Sequence, residues 1–383
     1  MKILIDARMF GLEHSGIGRY LINLVEELKK LRTEKQFVIL LRKKYFDELN
    51  LPRNWKKVLA DFGHYGFEEQ FKLPYIISKL KPDLVHFPHF NIPFLWKGNF
   101  VVTIHDMTIH KQGIDATSLS LPLYFFKRIL YNLIFQTAVF RSKKIITPSK
   151  TIKIEVTNYY KINPSKVVVI YEGFNLPYVT DGVGLRDFEI LNKFKLVKNN
   201  FFFYVGKAYP HKNLRRAIQA ICDINKYKGK PVQFVIAGSR DVFMYRLEKF
   251  VKESKTSDFV RFLGFVSDDE LKVLYKYSLG FVYPSLSEGF GLQGLEAIAS
   301  GSVLLCSDIP VFREIYKKYA FYFNPLDLSS ISSTIYFVMN MRQKDRSNYI
   351  TKSQEYIKRY SWQRMTKETF RVYNQVLKGK KML

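Results

Sequence analysis

Short apolar runs rich in β-branched and aromatic residues alternate with longer amphipathic segments along this chain. Strands that are apolar on both faces belong to parallel sheets covered by helices on both sides, so the alternation predicts a doubly wound α/β architecture. One series of runs ends near residue 170 and a second begins at Phe201, which predicts two such domains. The predicted strands are KILID (2–6), QFVILL (36–41), DLVHF (83–87), FVVTI (100–104), KIIT (144–147), KVVVI (166–170), FFFYV (201–205), VQFVIA (232–237), FVRFLG (259–264), LGFVYP (279–284) and SVLLC (302–306).

A stretch rich in glycine, proline and polar residues separates the two series. It reads EGFNLPYVTDGVG (172–184), a composition typical of a linker. We therefore place one Rossmann-like domain at 1–180 and a second at 195–350. A broken stripe of aromatic and methionine side chains predicts a helix over 353–378, within a C-terminal segment 351–383.

Composition limits the partners and the compartment. The net charge of +27 favours anionic partners such as nucleic acid, anionic lipid or phosphorylated substrates. The two cysteines, Cys222 and Cys306, lie in apolar surroundings and are expected to be buried thiols in a reducing compartment. No apolar run reaches the length of a membrane span, and the short apolar start lacks a cleavage site, so we expect a cytoplasmic protein without a signal peptide.

The segment GLEHSGIGRYLINLVEEL (11–28) follows the first strand and opens a strongly periodic helix. Small residues such as Gly16 and Gly18 let the backbone approach an anion, and a helix N-terminus offers free N–H groups and a positive dipole end. The alternative interpretation of the same residues is a tight turn before a helix.

The segment TIHDMTIH (103–110) ends a strand of the first half. Ligands of open α/β sheets bind outside the carboxyl ends of the strands, so His105 and Asp106 are candidates for substrate contact. The alternative is that Asp106 caps a turn and His105 is a satisfied polar group. The neighbouring histidines come from different loops without metal-ligand spacing, so we expect no metal.

In the second half, YVGKAYPHKNLRRAIQAI (204–221) carries a strand into a helix through a polar loop. Lys207 and Lys212 lie in that loop after Gly206, at the predicted carboxyl edge of the sheet, where they could meet a diphosphate. In a chain with 61 basic residues, solvated surface lysines remain the alternative.

The segment PSLSEGFGLQGLEAIASG (284–301) combines a glycine-rich turn with two carboxylates, Glu288 and Glu296. The N–H groups from Gly289 to Leu292 are expected to face a ligand. A carboxylate at the helix start can accept hydrogen bonds from sugar hydroxyls, and one eight residues on lies on nearly the same side of the helix. That second carboxylate could take a pair of ribose hydroxyls.

Taken together and in this order, these segments resemble the GT-B-fold retaining glycosyltransferases of family 4, the group 1 class. The resemblance covers nearly the whole chain, and the Glu-x7-Glu segment is the family's signature. It implies two Rossmann-like domains facing across a cleft, with a C-terminal helix crossing back to the N-terminal, acceptor-binding domain. GIGRY and TIHD are most similar to the mannosyltransferase-like branch.

The resemblance also implies roles for individual residues. Glu288 contacts the donor sugar, Glu296 binds the ribose of the nucleotide, and His105 lies near both sugars with Asp106 on the acceptor side. Lys212 matches the family's diphosphate lysine, whereas Lys207 replaces a frequent arginine and keeps its charge but not its bidentate fork. The remaining donor-binding positions are Gly16, Gly18, Gly206, Gly289, Phe290, Gly291 and Leu292.

The implied reaction is transfer of a hexose from a nucleotide-diphosphate donor to a glycan or lipid-linked acceptor, with retention at the anomeric carbon. The family uses neither a metal nor a cofactor, and the diphosphate itself takes the acceptor proton. Lysines and backbone N–H groups would then stabilise the charge growing on the leaving diphosphate. Synthesis of cell-surface polysaccharide or glycolipid is the expected setting.

Residues 116–154 contain seven basic and no acidic residues, interleaved with aromatic ones. A basic and aromatic helix surface is typical of docking on anionic lipid headgroups, which would place the protein on the inner face of the plasma membrane. A core helix with ordinary basic flanks is the alternative.

Two other functions are compatible with parts of the sequence. A soluble enzyme similar to glycogen or starch synthase would share the second-half motifs, but the short first half and the basic, aromatic window argue against a glucan acceptor. A basic nucleic-acid-binding α/β protein would account for the charge, but not for carboxylates and glycines at strand ends. We therefore expect no nucleic-acid partner.

Overall fold

A computed structural model describes residues 1–111, 113, 117, 120–174, 184–227 and 231–379. The strands are β1 (Lys2–Asp6), β2 (Gln36–Leu41), β3 (Lys56–Leu59), β4 (Leu84–Phe87), β5 (Phe100–Thr103), β6 (Lys144–Thr147), β7 (Val167–Val169), β8 (Phe201–Val205), β9 (Gln233–Ala237), β10 (Val260–Gly264), β11 (Gly280–Tyr283), β12 (Leu304–Ser307) and β13 (Phe321–Phe323). The α-helices are α1 (Ser15–Lys29), α2 (Lys43–Phe46), α3 (Phe67–Leu80), α4 (Thr108–Lys111), α5 (Leu121–Arg141), α6 (Lys150–Tyr160), α7 (Leu185–Lys193), α8 (Leu214–Tyr227), α9 (Val242–Glu253), α10 (Asp268–Tyr277), α11 (Leu292–Ala299), α12 (Pro310–Tyr316), α13 (Leu328–Met339), α14 (Gln343–Ile357) and α15 (Trp362–Gly379).

The chain forms two compact units. The first comprises residues 1–107, 119–173 and 360–383, and the second comprises 108–118 and 174–359. Part of the predicted linker, residues 175–183, lies outside the described residues.

The first unit is built on a parallel seven-stranded sheet in the order β3-β2-β1-β4-β5-β6-β7. Its central strands are buried along their length because helices cover both faces. The order reverses between β1 and β4, whose registers pair Ile3 with Leu84 and Ile5 with His86. Ligands of such folds bind at the carboxyl ends of the strands, beside this reversal.

The second unit repeats the plan with a parallel six-stranded sheet in the order β10-β9-β8-β11-β12-β13. Here the order reverses between β8 and β11. Side-chain caps define several of its helices: Ser267 and Glu270 form a reciprocal capping box at the start of α10, and Asp241 caps α9. The predicted fold class, two Rossmann-like domains, is confirmed.

All eleven predicted strands are present, with ends that differ by two residues at most. Two edge strands, β3 and β13, were not predicted. Strand β3 begins with two lysines and so lacks the continuous apolar run that indicates a buried strand, whereas β13 is apolar but only three residues long. Cys222 and Cys306 are buried free thiols.

The predicted single helix over 353–378 is wrong, because the chain breaks at residues 358–361 between α14 and α15. The Ser361 hydroxyl accepts from the Arg364 N–H at 3.2 Å and so starts a new helix. Gly173 packs against this junction so closely that an added Cβ would lie 2.1 Å from the Trp362 nitrogen. Helix α14 belongs to the second unit, while α15 returns to the first.

Candidate functional site

His105 lies two residues after β5 and has both ring nitrogens engaged. Its Nδ1 is 2.9 Å from Glu172 Oε1, and its Nε2 is 2.9 Å from the Pro88 carbonyl oxygen. A carboxylate and a carbonyl both accept, so the two nitrogens must both donate and the ring is held as an imidazolium. Burial lowers the pKa of His105, but the hydrogen bond and charge of Glu172 outweigh it and leave the pKa raised.

Glu172 is a candidate site residue that the sequence did not indicate. It lies three residues after β7 and is almost fully buried. It falls in the stretch that the sequence predicts to be a linker. A single glutamate in a polar stretch does not indicate a partner 67 residues away. Only the parallel sheet, which brings the ends of β5 and β7 to one edge, puts it beside His105.

A buried chain of hydrogen bonds starts at Tyr20, whose ring packs against this histidine, and continues into the unit. The Tyr20 ring packs edge-on against His105 with centroids 4.9 Å apart, and its hydroxyl lies 3.2 Å from Thr103 Oγ1. Thr103 Oγ1 is 2.8 Å from His86 Nε2, and His86 Nδ1 is 2.6 Å from the Tyr373 hydroxyl on α15. Burial lowers the pKa of His86 to about 3, so this second histidine is neutral.

Gly16 and Gly18 lie in the first turn of α1, which begins at Ser15, so they belong to the helix start rather than to a turn before it. Gly16 is exposed. Gly18 is buried, and a Cβ there would lie 1.8 Å from the Gly11 carbonyl oxygen. Glycine is therefore required at position 18 because the backbone of Gly11 packs closely against it. Gly16, in contrast, is exposed to solvent.

In the second unit, the loops after β8 and β11 lie side by side at the reversal of the strand order. The Leu286 N–H donates to the His211 carbonyl at 2.7 Å, which ties the two loops together. Lys212 Nζ lies 2.5 Å from Glu288 Oε1, and these side chains are only 14% and 12% exposed. The structure thus brings together the predicted diphosphate lysine and the predicted sugar carboxylate as one ion pair.

Lys207 and Gly206 lie at the start of the same loop. Gly206 has a φ of +143°, and the Lys207 carbonyl accepts from the Tyr204 hydroxyl at 3.2 Å. The Lys207 ammonium lies over the Tyr209 ring, 5.7 Å from its centroid. The charge of Lys207 thus lies at the carboxyl end of β8. Its ammonium contacts an aromatic ring, whereas that of Lys212 forms an ion pair.

Glu288 does not lie on the helix as the spacing argument assumed, because α11 begins at Leu292. The eight-residue spacing therefore joins a loop carboxylate, Glu288, to a helical one, Glu296. Glu296 lies in the second turn of α11 and is half-buried.

Gly291 lets the chain enter α11. It has a φ of +102°, a region that favours glycine, and its carbonyl accepts from the Tyr316 hydroxyl at 2.5 Å. A Cβ at Gly291 or Gly294 would lie 2.3 Å from that hydroxyl oxygen. The glycines of this segment are therefore needed to seat the helix start against Tyr316. Leu292 and Phe290 are buried beside it, and Gly289 is half-buried.

Asp106 follows His105 and is half-buried in the first unit. No group of three or more His, Cys, Asp or Glu side chains that could hold a metal ion is found in the described part of the chain. None of the helices described there is both long and apolar enough to cross a membrane.

Two family descriptions match the two halves of the chain. Residues 14–177 match Glycosyltransferase Family 4, and residues 187–356 match Glycosyl transferases group 1. The boundary between these matches falls in the stretch that separates the two sheets.

Two relatives match over nearly their full length. The O-antigen chain mannosyltransferase RfbU of Salmonella typhimurium is 27% identical, over 95% of this chain and 97% of its own. The O-antigen chain mannosyltransferase B of Escherichia coli is 24% identical, over 97% and 99%. The solved structure of Anabaena Alr3699/HepE in complex with UDP and glucose superposes with a TM-score of 0.74 at 14% identity, over 98% of this chain and all of that one, which shows the shared fold.

The pairing of His105 with Glu172 predicts a pH effect. Since the pKa of His105 is raised in the folded state, the stability it contributes is full below its unfolded pKa near 6.5 and is lost as the pH rises through the folded pKa. Glu172→Gln removes the charge that raises this pKa. We expect the His105 imidazole signals to titrate at a lower pH in the variant, and the decline of melting temperature above pH 6.5 to flatten.

NMR of the labelled full chain and thermal unfolding between pH 5.5 and 9 measure both effects. Glu189→Gln, at an exposed position of the second unit, is the matched control. An unchanged His105 titration in Glu172→Gln would show that the imidazolium does not depend on Glu172.

Proposed function

The chain belongs to the GT-B glycosyltransferases of family 4, group 1, and we propose that it transfers a hexose, with mannose as the first candidate, from a nucleotide-diphosphate donor to a glycan or lipid-linked acceptor. Synthesis of a cell-surface polysaccharide is the setting that its O-antigen relatives support. Nothing in these relatives favours the soluble glucan-synthase or nucleic-acid alternative.

The observation that carries the donor assignment is the ion pair of Lys212 and Glu288. It lies at the strand-order reversal of the second sheet, where ligands of doubly wound folds bind, and next to the N-terminus of α11. A largely buried ammonium and carboxylate side by side fit a ligand with an anionic and a hydroxyl-bearing part. Lys212 would meet the diphosphate, and Glu288 would accept from hydroxyls of the sugar.

We propose that transfer proceeds with retention, by attack on the face from which the diphosphate leaves. The acceptor oxygen forms a bond to the anomeric carbon, the bond from that carbon to the diphosphate breaks, and the acceptor proton passes to a diphosphate oxygen. This route needs no covalent nucleophile, so Glu288 can stay paired with Lys212 and Glu172 with His105 throughout the reaction. Lys207, Lys212 and backbone N–H groups near Gly289 stabilise the leaving group.

His105 would serve as a fixed cation and donor in this reaction. An imidazolium that already donates to Glu172 and Pro88 has no lone pair with which to accept a proton. It therefore does not fit the part of a general base. Its charge would instead favour negative charge on oxygens near the end of β5.

A donor assay with one variant tests the nucleotide site. Purified protein is incubated with GDP-mannose, UDP-glucose and related donors, and their hydrolysis, in which water takes the place of the acceptor, is measured as release of the nucleotide diphosphate. We expect Glu296→Ala to raise the KM of the preferred donor roughly 10–100-fold, because the ribose hydroxyls lose a charged acceptor. Glu253→Ala, at an exposed position of the same unit, is the control. An unchanged KM removes Glu296 from the site, and failure of the protein to bind any of the donors, followed by saturation transfer, rejects the proposed function.

We also propose that no metal takes part, since the lysines supply the positive charge that a divalent ion supplies elsewhere. Turnover should then survive EDTA, and Lys212→Ala should lower kcat about 100-fold or more, the cost of losing one donor to a developing anion. Lys249→Ala, an exposed lysine of the same unit, is the control. Loss of turnover in EDTA with recovery in Mg²⁺ or Mn²⁺ would contradict this account.

The exposed side chains of helix α5 support attachment of the protein to an anionic membrane surface. Only three of its 21 residues, Phe135, Ala138 and Val139, are buried, which supports a surface helix over the alternative of a core helix. Large apolar side chains are exposed along it, at Leu121, Leu123, Phe125, Phe126, Ile129, Leu130, Leu133 and Phe140. Lys127 is exposed among them, and the exposed Lys143 follows. Of the wider predicted window, residues 116, 118 and 119 lie outside the described residues.

An exposed apolar face beside lysines has a chemistry that fits lipid headgroups and the acyl boundary beneath them. We propose that α5 holds the first unit on an anionic surface, where a lipid-linked acceptor would be presented. Each lysine near such a surface contributes about 1 kcal/mol, and the contribution weakens in salt.

Vesicle sedimentation tests this attachment. The full chain should bind vesicles that contain anionic lipid at low salt, release at high salt, and leave neutral vesicles unbound. Lys127→Gln with Lys143→Gln should weaken binding about 10-fold or more, and Phe125→Ser with Phe126→Ser should weaken it at every salt concentration. Lys252→Gln with Lys344→Gln, which removes the same charge from exposed positions of the second unit, is the control. Failure of the wild type to bind anionic vesicles at low salt would favour a soluble acceptor.

A further inference from the structure

A small polar cavity lies in the first unit at the reversal of its strand order, between the ends of β1 and β4. The residues that line it are Asp6, the last residue of β1, with Met9, His64, Phe87, Pro88, His89 and Asn91. The cavity leaves about 10 Å³ for the centre of a water-sized sphere, which is room for one oxygen atom with its hydrogen.

A buried ionic network holds the walls of this cavity. Arg8 is 1% exposed and donates through Nε and Nη2 to the Asp6 carboxylate, each at 2.8 Å, and through Nη2 to Glu69 Oε1 at 2.6 Å. Burial raises the pKa values of Asp6 and Glu69, but their contacts with Arg8 and His64 outweigh it and leave both lowered, so both carboxylates are charged. Such a network is costly to bury unless it is fully paired, which makes any atom left without a partner informative.

Two polar atoms of the cavity wall have no hydrogen-bond partner. Asn91 is 4% exposed, and its Nδ2 donates to Glu69 Oε2 at 2.6 Å, which fixes the orientation of the amide. Its Oδ1 is therefore an acceptor, and it is buried and unpaired, as is His64 Nε2. An unpaired buried polar atom costs about 1–3 kcal/mol, so the cavity is built for an occupant that satisfies these atoms.

The chemistry of the wall selects that occupant. Asn91 Oδ1 and the Asp6 carboxylate accept, while His89 accepts the Asn91 N–H at its Nδ1 and so presents Nε2–H as a donor. A hydroxyl both donates and accepts and has the right size. An anion would meet the Asp6 carboxylate and is disfavoured.

The cavity is also placed beside the first unit's other site residues. Pro88, whose carbonyl accepts from His105, lines it, and the His64 ring packs edge-on against His14 at the start of α1 with centroids 6.0 Å apart. We propose that the cavity is a subsite for one hydroxyl group of the acceptor sugar, with Asn91 and Asp6 as its acceptors and His89 as its donor. This inference rests on the proposed function and names the chemical class that the first unit recognises.

Imidazole NMR of the labelled full chain tests the subsite with defined probes. The chain is titrated with methyl α-mannoside, with methyl α-glucoside, with monodeoxy analogues of each, and with inorganic phosphate. We expect saturable shifts of the His64 and His89 signals with at least one glycoside. At least one monodeoxy analogue of it should bind about 10-fold more weakly, because a missing hydroxyl leaves the wall unpaired. Phosphate should leave both signals unmoved.

Two variants separate the subsite from an effect on folding. Asn91→Leu removes the unpaired acceptor, and Met9→Phe fills the cavity while leaving the ionic network in place. Each should weaken the glycoside at least 10-fold, whereas Asn50→Leu, at an exposed position of the same unit, should not. Thermal unfolding identifies a variant that has lost its fold. The glycoside affinity of the other, folded variant then tests the subsite.

Nucleotide-sugar binding by the same wild-type sample, followed by saturation transfer, keeps the two hypotheses apart. Unmoved histidine signals in a sample that binds a nucleotide sugar would show that the cavity holds water alone, and the inference would be wrong. Equal binding of all deoxy analogues, or full affinity in both folded variants, would overturn it too. A sample that binds no nucleotide sugar instead rejects the proposed function.

Discussion

Parallel pairing of buried strands is the constraint on which the rest of this molecule depends. Because every strand of a sheet runs in one direction, all the loops that follow the strands lie along a single edge. The reversal of strand order then opens a crevice at that edge, between β1 and β4 in the first unit and between β8 and β11 in the second. The candidate site residues of each unit lie at this edge.

The crevice edges hold charges that would be costly if they were buried alone, and the structure pairs them. Lys212 is paired with Glu288, His105 with Glu172, and Arg8 with Asp6 and Glu69. Such pairs hold side chains in one geometry before a ligand arrives, which lowers the reorganisation that binding or charge development requires. Among the described residues of the first unit, the pairing leaves Arg8 Nη1, His64 Nε2 and Asn91 Oδ1 without a partner, and the last two belong to residues that line the cavity proposed as a subsite.

Sequence patterns predicted the features that depend on interactions between neighbouring residues along the chain. Apolar runs such as FFFYV predicted buried strands because burial on both faces demands continuous apolarity. The same logic missed β3, since an edge strand that begins with two lysines lacks that pattern. It also joined α14 to α15, because the stripe of aromatic residues continues across a break that depends on Gly173 and the Ser361 cap.

The sequence by itself determined the architecture of two parallel-sheet domains and the segments that carry the site, because strand burial and glycine-rich turns depend on neighbours along the chain. It also determined the family, through motifs such as the one from Pro284 to Gly301. Only the tertiary structure decided which side chains are partners. Glu172 is 67 residues from His105, and Glu69 is 61 from Arg8. Contacts at such separations are set by sheet order and packing, which leave no spacing signal in the chain.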